Sequence, residues 1–163
     1  MSEPAEARLE HAFTIALTFG EIETLPTLTR GFARGALYLE GGTVTGPRLS
    51  GRLLGGSGGD WAEFRPDGTV ATDARYMIEA DDGTHILMHN RGFLWGRTPD
   101  VMPRIRAWMF EDGPPVDSSE FYLRAAPVFE VGPGPHDWLT RHVFVGIGSR
   151  QRLGNTFHYH AVL

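Results

Sequence analysis

Apolar and polar residues alternate along most of the chain, and that alternation predicts strands. Phe13, Ile15, Leu17 and Phe19 alternate with smaller or polar residues over positions 11–19. Further strands are predicted at 34–39, 49–53, 60–64, 69–80, 84–91, 119–130, 141–148 and 156–162. In the longest of these, Val70, Thr72, Ala74, Tyr76 and Ile78 share one face, and Ala71, Asp73, Arg75, Met77 and Glu79 share the other. Gly41-Gly42, Pro66-Asp67-Gly68 and Asp81-Asp82-Gly83 supply turns between strands. Residues 92–118 break the rhythm. They carry Trp95, Trp108, Phe110 and the prolines Pro99, Pro103, Pro114 and Pro115, and are expected to form a cap over one end. Residues 1–10 are expected to be a flexible N-terminus, and 11–163 a single domain. The predicted fold class is all-β: one antiparallel β-barrel of about eight to nine strands, which hides its strand edges. A sandwich is the alternative.

Composition supports this picture and narrows the chemistry. The chain has 163 residues, with 21 glycines and 11 prolines, which favours short strands and tight turns over a helix bundle. It has no cysteine, and all 15 of its basic residues are arginine. Lysine Schiff bases, phosphate loops ending in Gly-Lys-Ser/Thr, thiol nucleophiles, disulfides and thiolate metal sites are therefore excluded. A formal net charge of −5 argues against nucleic acid or an anionic membrane as partner. The acidic N-terminus lacks the pattern of a secretory leader, and no apolar run approaches the roughly 18–20 residues of a membrane span. A cytoplasmic protein is expected.

The familiar cofactor and nucleophile motifs are missing. The glycine run Gly55-Gly56-Ser57-Gly58-Gly59 has no lysine and does not open a helix. Gly146-Ile147-Gly148-Ser149-Arg150-Gln151 fails the dinucleotide pattern at its last position, and no G-x-S-x-G elbow occurs. His85 and His89 share a strand face but lie roughly 13 Å apart, too far for one metal. His158 and His160 lie roughly 7 Å apart and can supply two ligands, with no signature for a third. Neither metal nor cofactor is assigned on these grounds, and a metal-dependent enzyme using His158 and His160 stays as a third reading.

Other side chains offer acid–base chemistry. Arg75 and Arg124 lie within strands among apolar neighbours, and an arginine inside a barrel must meet a counter-charge or a ligand. For Arg75 an ion pair with Asp73 or Glu79 and a substrate clamp both remain open. Tyr122 shares a face with Arg124, and the two can orient a carboxylate or phenolate. Asp60, just past the glycine run, can be a general base or a turn cap. The tryptophans Trp61, Trp95, Trp108 and Trp138 suit a flat apolar ligand or a packed core.

Several strings occur together in order: Gly46-Pro47-x-Leu49-x-Gly51, Gly56-x-x-x-Asp60-Trp61, Asp73-Ala74-Arg75-Tyr76 and Asp81-Asp82-Gly83. Tyr122-Leu123-Arg124-x-x-Pro127-x-Phe129-Glu130, Trp138-Leu139 and Val145-Gly146-x-Gly148-x-Arg150 follow. This set resembles the family known as domain of unknown function 3237, from about residue 11 to 163. The resemblance implies a compact lipocalin-like barrel that self-associates, here as a homodimer. It also implies kinship with proteins of aromatic-compound breakdown and polyketide tailoring. Asp60, Trp61, Arg75, Tyr76, Tyr122, Arg124, Glu130, Trp138 and Arg150 fall on the matching strings.

The expected function is a cofactor-independent acid–base enzyme, a lyase, decarboxylase or cyclase, acting on a small phenolic, aromatic-acid or polyketide-like molecule. Asp60, Arg75, Tyr122, Arg124 and His89 are the candidate catalytic residues. Trp61, Tyr76, Asn90, Glu130, Trp138 and Arg150 are the candidate substrate-binding residues. A non-catalytic carrier of apolar or aromatic ligands is the alternative.

Overall fold

The computed structural model describes residues 5–163. The expected flexible stretch at 1–10 therefore lies partly outside the described residues. Its last two positions, Leu9 and Glu10, already pair with Val162 and Ala161.

Nine strands form one antiparallel sheet that closes on itself. They are β1 (Leu9–Leu25), β2 (Ala33–Thr45), β3 (Gly51–Leu53), β4 (Gly59–Phe64), β5 (Val70–Ala80), β6 (His85–Gly96), β7 (Phe121–Glu130), β8 (Phe144–Gln151) and β9 (Gly154–Val162). Each strand from β5 to β9 pairs with its predecessor, and β9 returns to β1, which pairs with β2. The short strands β3 and β4 share the place between β2 and β5. β3 pairs with residues 42–44 of β2 and 78–80 of β5, and β4 with the preceding part of β2 and the earlier part of β5. They act as one strand interrupted by the glycine run, so the barrel closes with eight strand positions. The interruption hugs its neighbours: a Cβ on Gly58 would sit 1.9 Å from the Arg75 carbonyl oxygen, so only glycine fits.

Alternation sets what fills the barrel. Phe13, Ile15, Leu17 and Phe19 of β1, Ile86 and Met88 of β6, Phe121, Leu123 and Phe129 of β7, and Phe157 and Tyr159 of β9 are all buried inside. One end is plugged by a 3-10 turn at Asp137–Arg141, where Leu139 is buried and the Arg48 guanidinium lies 3.7 Å from the Trp138 ring.

The other end carries the cap, which differs from the expected long connection. Residues 92–96 continue β6, because Gly92–Gly96 still pair with Phe121–Ala125. The cap itself is a helix, α1 (Val101–Phe110), whose Pro103 sits in the first turn where its missing N–H costs nothing. Arg104 clamps α1 to the 3-10 turn at Ser118–Glu120, with two bonds to Glu120 of 2.6 and 3.1 Å. No helix is long and apolar enough to cross a membrane among the described residues.

Candidate functional site

Below α1 the barrel holds an open-mouthed cavity of about 770 Å³. Its wall is mostly apolar, with Leu37, Leu94 and Leu123 from the strands and Met102, Ile105 and Met109 from the helix. Into this apolar space the strands turn a few polar groups: Asp60, Thr72, Arg150 and Asn155.

Asp60 is inward because it shares a face of β4 with Ala62 and Phe64. The β4–β5 ladder pairs Asp60 with Ala74 and resumes at Glu63 with Ala71. In the gap the N–H of Asp73 donates to Asp60 Oδ1 at 2.8 Å, so a side chain replaces a backbone acceptor. The residue is 6% exposed. Burial pushes its carboxyl up to about 6, against the opposing pull of the Asp73 N–H and of Arg150.

Arg150 faces the same space from β8. Burial draws its guanidinium down to about 10, so it stays charged at neutral pH, and the nearby Asp60 works against that shift. The two do not form an ion pair within 4.0 Å, and Arg150 has no other carboxylate partner among the described residues. Its single side-chain bond runs to the Met109 thioether at 3.0 Å, a weak acceptor, and its Nε is buried without a partner. Thr72 Oγ1, Asn90 Oδ1 and Asn155 Oδ1 are likewise buried and unpartnered. Such groups cost about 1–3 kcal/mol each when left dry. Deeper in the barrel, burial raises the hydroxyls of Tyr76 and Tyr159 well above their usual range. The Asp60 charge adds to the effect on Tyr76, and a bond with Asn90 opposes it on Tyr159. Both tyrosines are therefore protonated.

Among the expected site residues, Asp60 and Arg150 line the cavity, and Tyr76 and Asn90 lie buried in the interior. The others do not join them. On β5 the buried face is that of Ala74, Tyr76 and Ile78, so Arg75 is exposed on the outside. On β7 it is that of Phe121, Leu123, Ala125 and Phe129, which turns Tyr122, Arg124 and Glu130 outward. Tyr122 stacks on Trp95, and Arg124 lies over Tyr122 and bonds the Leu123 carbonyl. His89 points outward from β6 and meets Asp73 at 2.6 Å. Arg75, His89 and Glu130 gather in a depression on the outer surface. Trp61 is 40% exposed on the outer face of β4, and Trp138 belongs to the plug at the opposite end.

His158 and His160 also face outward from β9, beside His11 and Thr14 of β1. No group of three or more His, Cys, Asp or Glu is placed to hold a metal ion among the described residues. Thr72, Asn155 and three further arginines of the cavity lining, Arg34, Arg65 and Arg106, were not among the residues expected from the sequence. A polar residue in step with the apolar face of a strand, as Asn155 is with Phe157 and Tyr159, was the available signal.

A family model described as "Protein of unknown function (DUF3237)" matches residues 7–162. The chain belongs to the DUF3237 family. A neighbour in fold, a conserved protein of unknown function from Rhodopseudomonas palustris, has a crystal structure that matches with a TM-score of 0.87. It is 28% identical, and the match covers 98% of this chain and 100% of that one. A UPF0311 protein of Clostridium acetobutylicum is 31% identical over 145 residues, 89% of this chain and 87% of that protein. A hydroalkoxylation enzyme of Penicillium herquei is 32% identical over 97 residues, 53% of this chain and 56% of that enzyme. Enzymatic activity thus occurs in a relative of this DUF3237 barrel.

Proposed function

We propose that the cavity is the active site of a cofactor-independent proton-transfer enzyme that closes or opens an oxygen-containing ring on a small aromatic substrate. The observation that carries this reading is the separation of Asp60 from Arg150. A buried carboxyl and a half-buried guanidinium face one apolar cavity without pairing, and burial raises the carboxyl to about 6. A structural ion pair would have closed that gap, whereas a site that receives a substrate between base and cation keeps it open.

The chemistry follows from the two groups. Asp60 takes the proton of a phenolic hydroxyl. The freed oxygen bonds to the far carbon of a double bond conjugated to a carbonyl, and the displaced electron pair moves onto the carbonyl oxygen. Arg150 holds that oxygen as charge develops on it, in a site of low dielectric where such stabilisation is strongest. Asp60 then returns the proton to the carbon next to the carbonyl. The sum is an isomerisation, with no co-reactant, and its reverse is a ring-opening lyase step. Asp60 near 6 is suited to both halves of the transfer at neutral pH. The partial likeness to a hydroalkoxylation enzyme supports an addition of this kind.

The test is turnover of a panel of phenols bearing an ortho-enone, such as 2′-hydroxychalcone, followed by loss of absorbance and by optical activity of the cyclised product. Optically active product that disappears in Asp60→Asn and Arg150→Met supports the reading. Equal rates in wild type and both variants contradict it. Panel members that bind and are never converted favour the carrier.

A further inference from the structure

The mouth of the cavity carries more positive charge than the site itself requires. Four lining residues are arginine (Arg34, Arg65, Arg106 and Arg150), and Asp60 is the one lining carboxyl. The imbalance is set in a chain whose formal net charge is −5. Two of the outer arginines are partly neutralised by the same group: Glu63 bonds Arg65 at 2.8 Å and lies 3.9 Å from Arg34. Arg34 also donates to the Trp61 carbonyl at 2.8 Å. Arg106 differs from both. It is exposed on α1, one position beyond the inward Ile105, and has no hydrogen bond or ion pair among the described residues. Other arginines of the cap are spoken for, Arg104 by Glu120 and Asp100, and Arg97 by the Ser119 carbonyl. The same cavity is lined with apolar side chains at both polar ends: Met102 stands one turn from Arg106 on α1, Leu37 pairs across the sheet with Asp60, and Leu94 adds to the wall from β6.

We infer that the substrate carries, besides its reacting group, an anionic group such as a carboxylate at its opposite end, and that Arg106 is the specificity residue that receives it at the mouth. This rests on the cavity being the ligand site, as proposed above. The apolar lining at the two polar ends takes the aromatic body. A guanidinium at the rim of a low-dielectric cleft attracts anions during approach and bonds them on arrival, while its aliphatic stem still packs against the wall. Asp60 and Arg150 govern conversion, and Arg106 governs which molecules enter.

Two fluorescent probes share one anilinonaphthalene body and differ in charge: 8-anilinonaphthalene-1-sulfonate and neutral N-phenyl-1-naphthylamine. Titration of the full-length protein with each reads the preference directly. The anionic probe should bind about tenfold more tightly at low salt, the worth of one charge-assisted contact. The advantage should shrink as salt rises toward about 0.5 M. Arg106→Gln should remove most of it and leave the neutral probe unchanged, whereas Arg52→Gln, on the outer wall, should leave both unchanged. Asp60→Asn should preserve the preference even where it abolishes turnover, so failure of the proposed reaction and failure of this inference are told apart. Equal affinities in the wild type, or an anion preference that persists in Arg106→Gln, overturn the inference. So does a preference that survives Ala62→Phe, which fills the cavity, because the anion then binds elsewhere.

Discussion

The inner and outer faces of the wall from β3 to β8 use the same residue types in opposite ways. Outside, several charged groups pair with one another in contact with solvent, His89 with Asp73 and both Arg52 and His85 with Glu79, while Arg75 and Glu130 stand in water without an ion pair among the described residues. Each such pair contributes about 0–1 kcal/mol and is screened by salt. Inside, the buried Asp60 and the half-buried Arg150 form no ion pair, and the polar atoms Thr72 Oγ1 and Asn155 Oδ1 are unpartnered beside them. The outer groups are satisfied by one another or by water. The inner groups cost stability for as long as the cavity lacks a partner for them. That contrast is why the site is placed inside, although the outer face holds more of the residues that the sequence singled out.

The largest test of the contrast is catalytic. With a converted panel member in hand, Asp60→Asn and Arg150→Met should each lower kcat/KM by about 100-fold or more, the range for loss of a general base or an oxyanion partner. Arg75→Gln, Tyr122→Phe and Arg124→Gln, on the outside, should change it less than about twofold. A large loss in the outer set would move the site to the other face.

A second test uses stability against pH. Burial raises Asp60 from its ordinary 3.8 to about 6, so the folded protein holds this proton more tightly than the unfolded chain does. The stability from this group is full below about pH 4 and falls as the pH rises to about 6, by about 3 kcal/mol. Asp60→Asn should therefore stabilise the protein at pH 8, by up to about 3 kcal/mol, and have little effect at pH 4. Its amide oxygen can still accept from the Asp73 N–H. Asp73→Asn, which weakens a half-exposed pair with His89 and removes a small repulsion on Asp60, should shift stability by only about 1 kcal/mol. Denaturant unfolding at the two pH values checks both.

The smallest expected effect concerns the thioether that stands in for a partner of Arg150. Met109→Leu removes a weak acceptor and keeps the volume, so stability should change by less than about 1.5 kcal/mol. Thermal unfolding reads this, and a much larger loss would make the Arg150–Met109 contact structural rather than a place holder.

Most of the barrel was legible because a period of two is a strong signal where one face is buried. Both faces of β5 were drawn correctly from the sequence. What the sequence did not carry was which face is inside, since Tyr76 and Arg75 each have plausible interior company. That answer comes from closure of the sheet, which couples the facing of every strand to its neighbours. On β7 the alternating Phe121, Leu123 and Phe129 outweigh Tyr122 and Arg124, and the even-numbered residues had to face water. Asp60 was legible from its place just past the glycine run and Arg150 through the family resemblance, whereas Thr72 and Asn155 hide among ordinary strand residues. The helix α1 was unreadable because Pro99 and Pro103 suggest a loop, and a proline in the first turn of a helix looks like any other proline.

The most direct measurement is an NMR titration of the Asp60 carboxyl carbon, assigned by its absence in Asp60→Asn. A midpoint at about 6 is expected in the free protein, moving higher in Arg150→Met because the nearby guanidinium holds it down. A midpoint at about 4 or below, unmoved by loss of Arg150, would show a solvated or directly paired carboxylate and leave the cavity without its base.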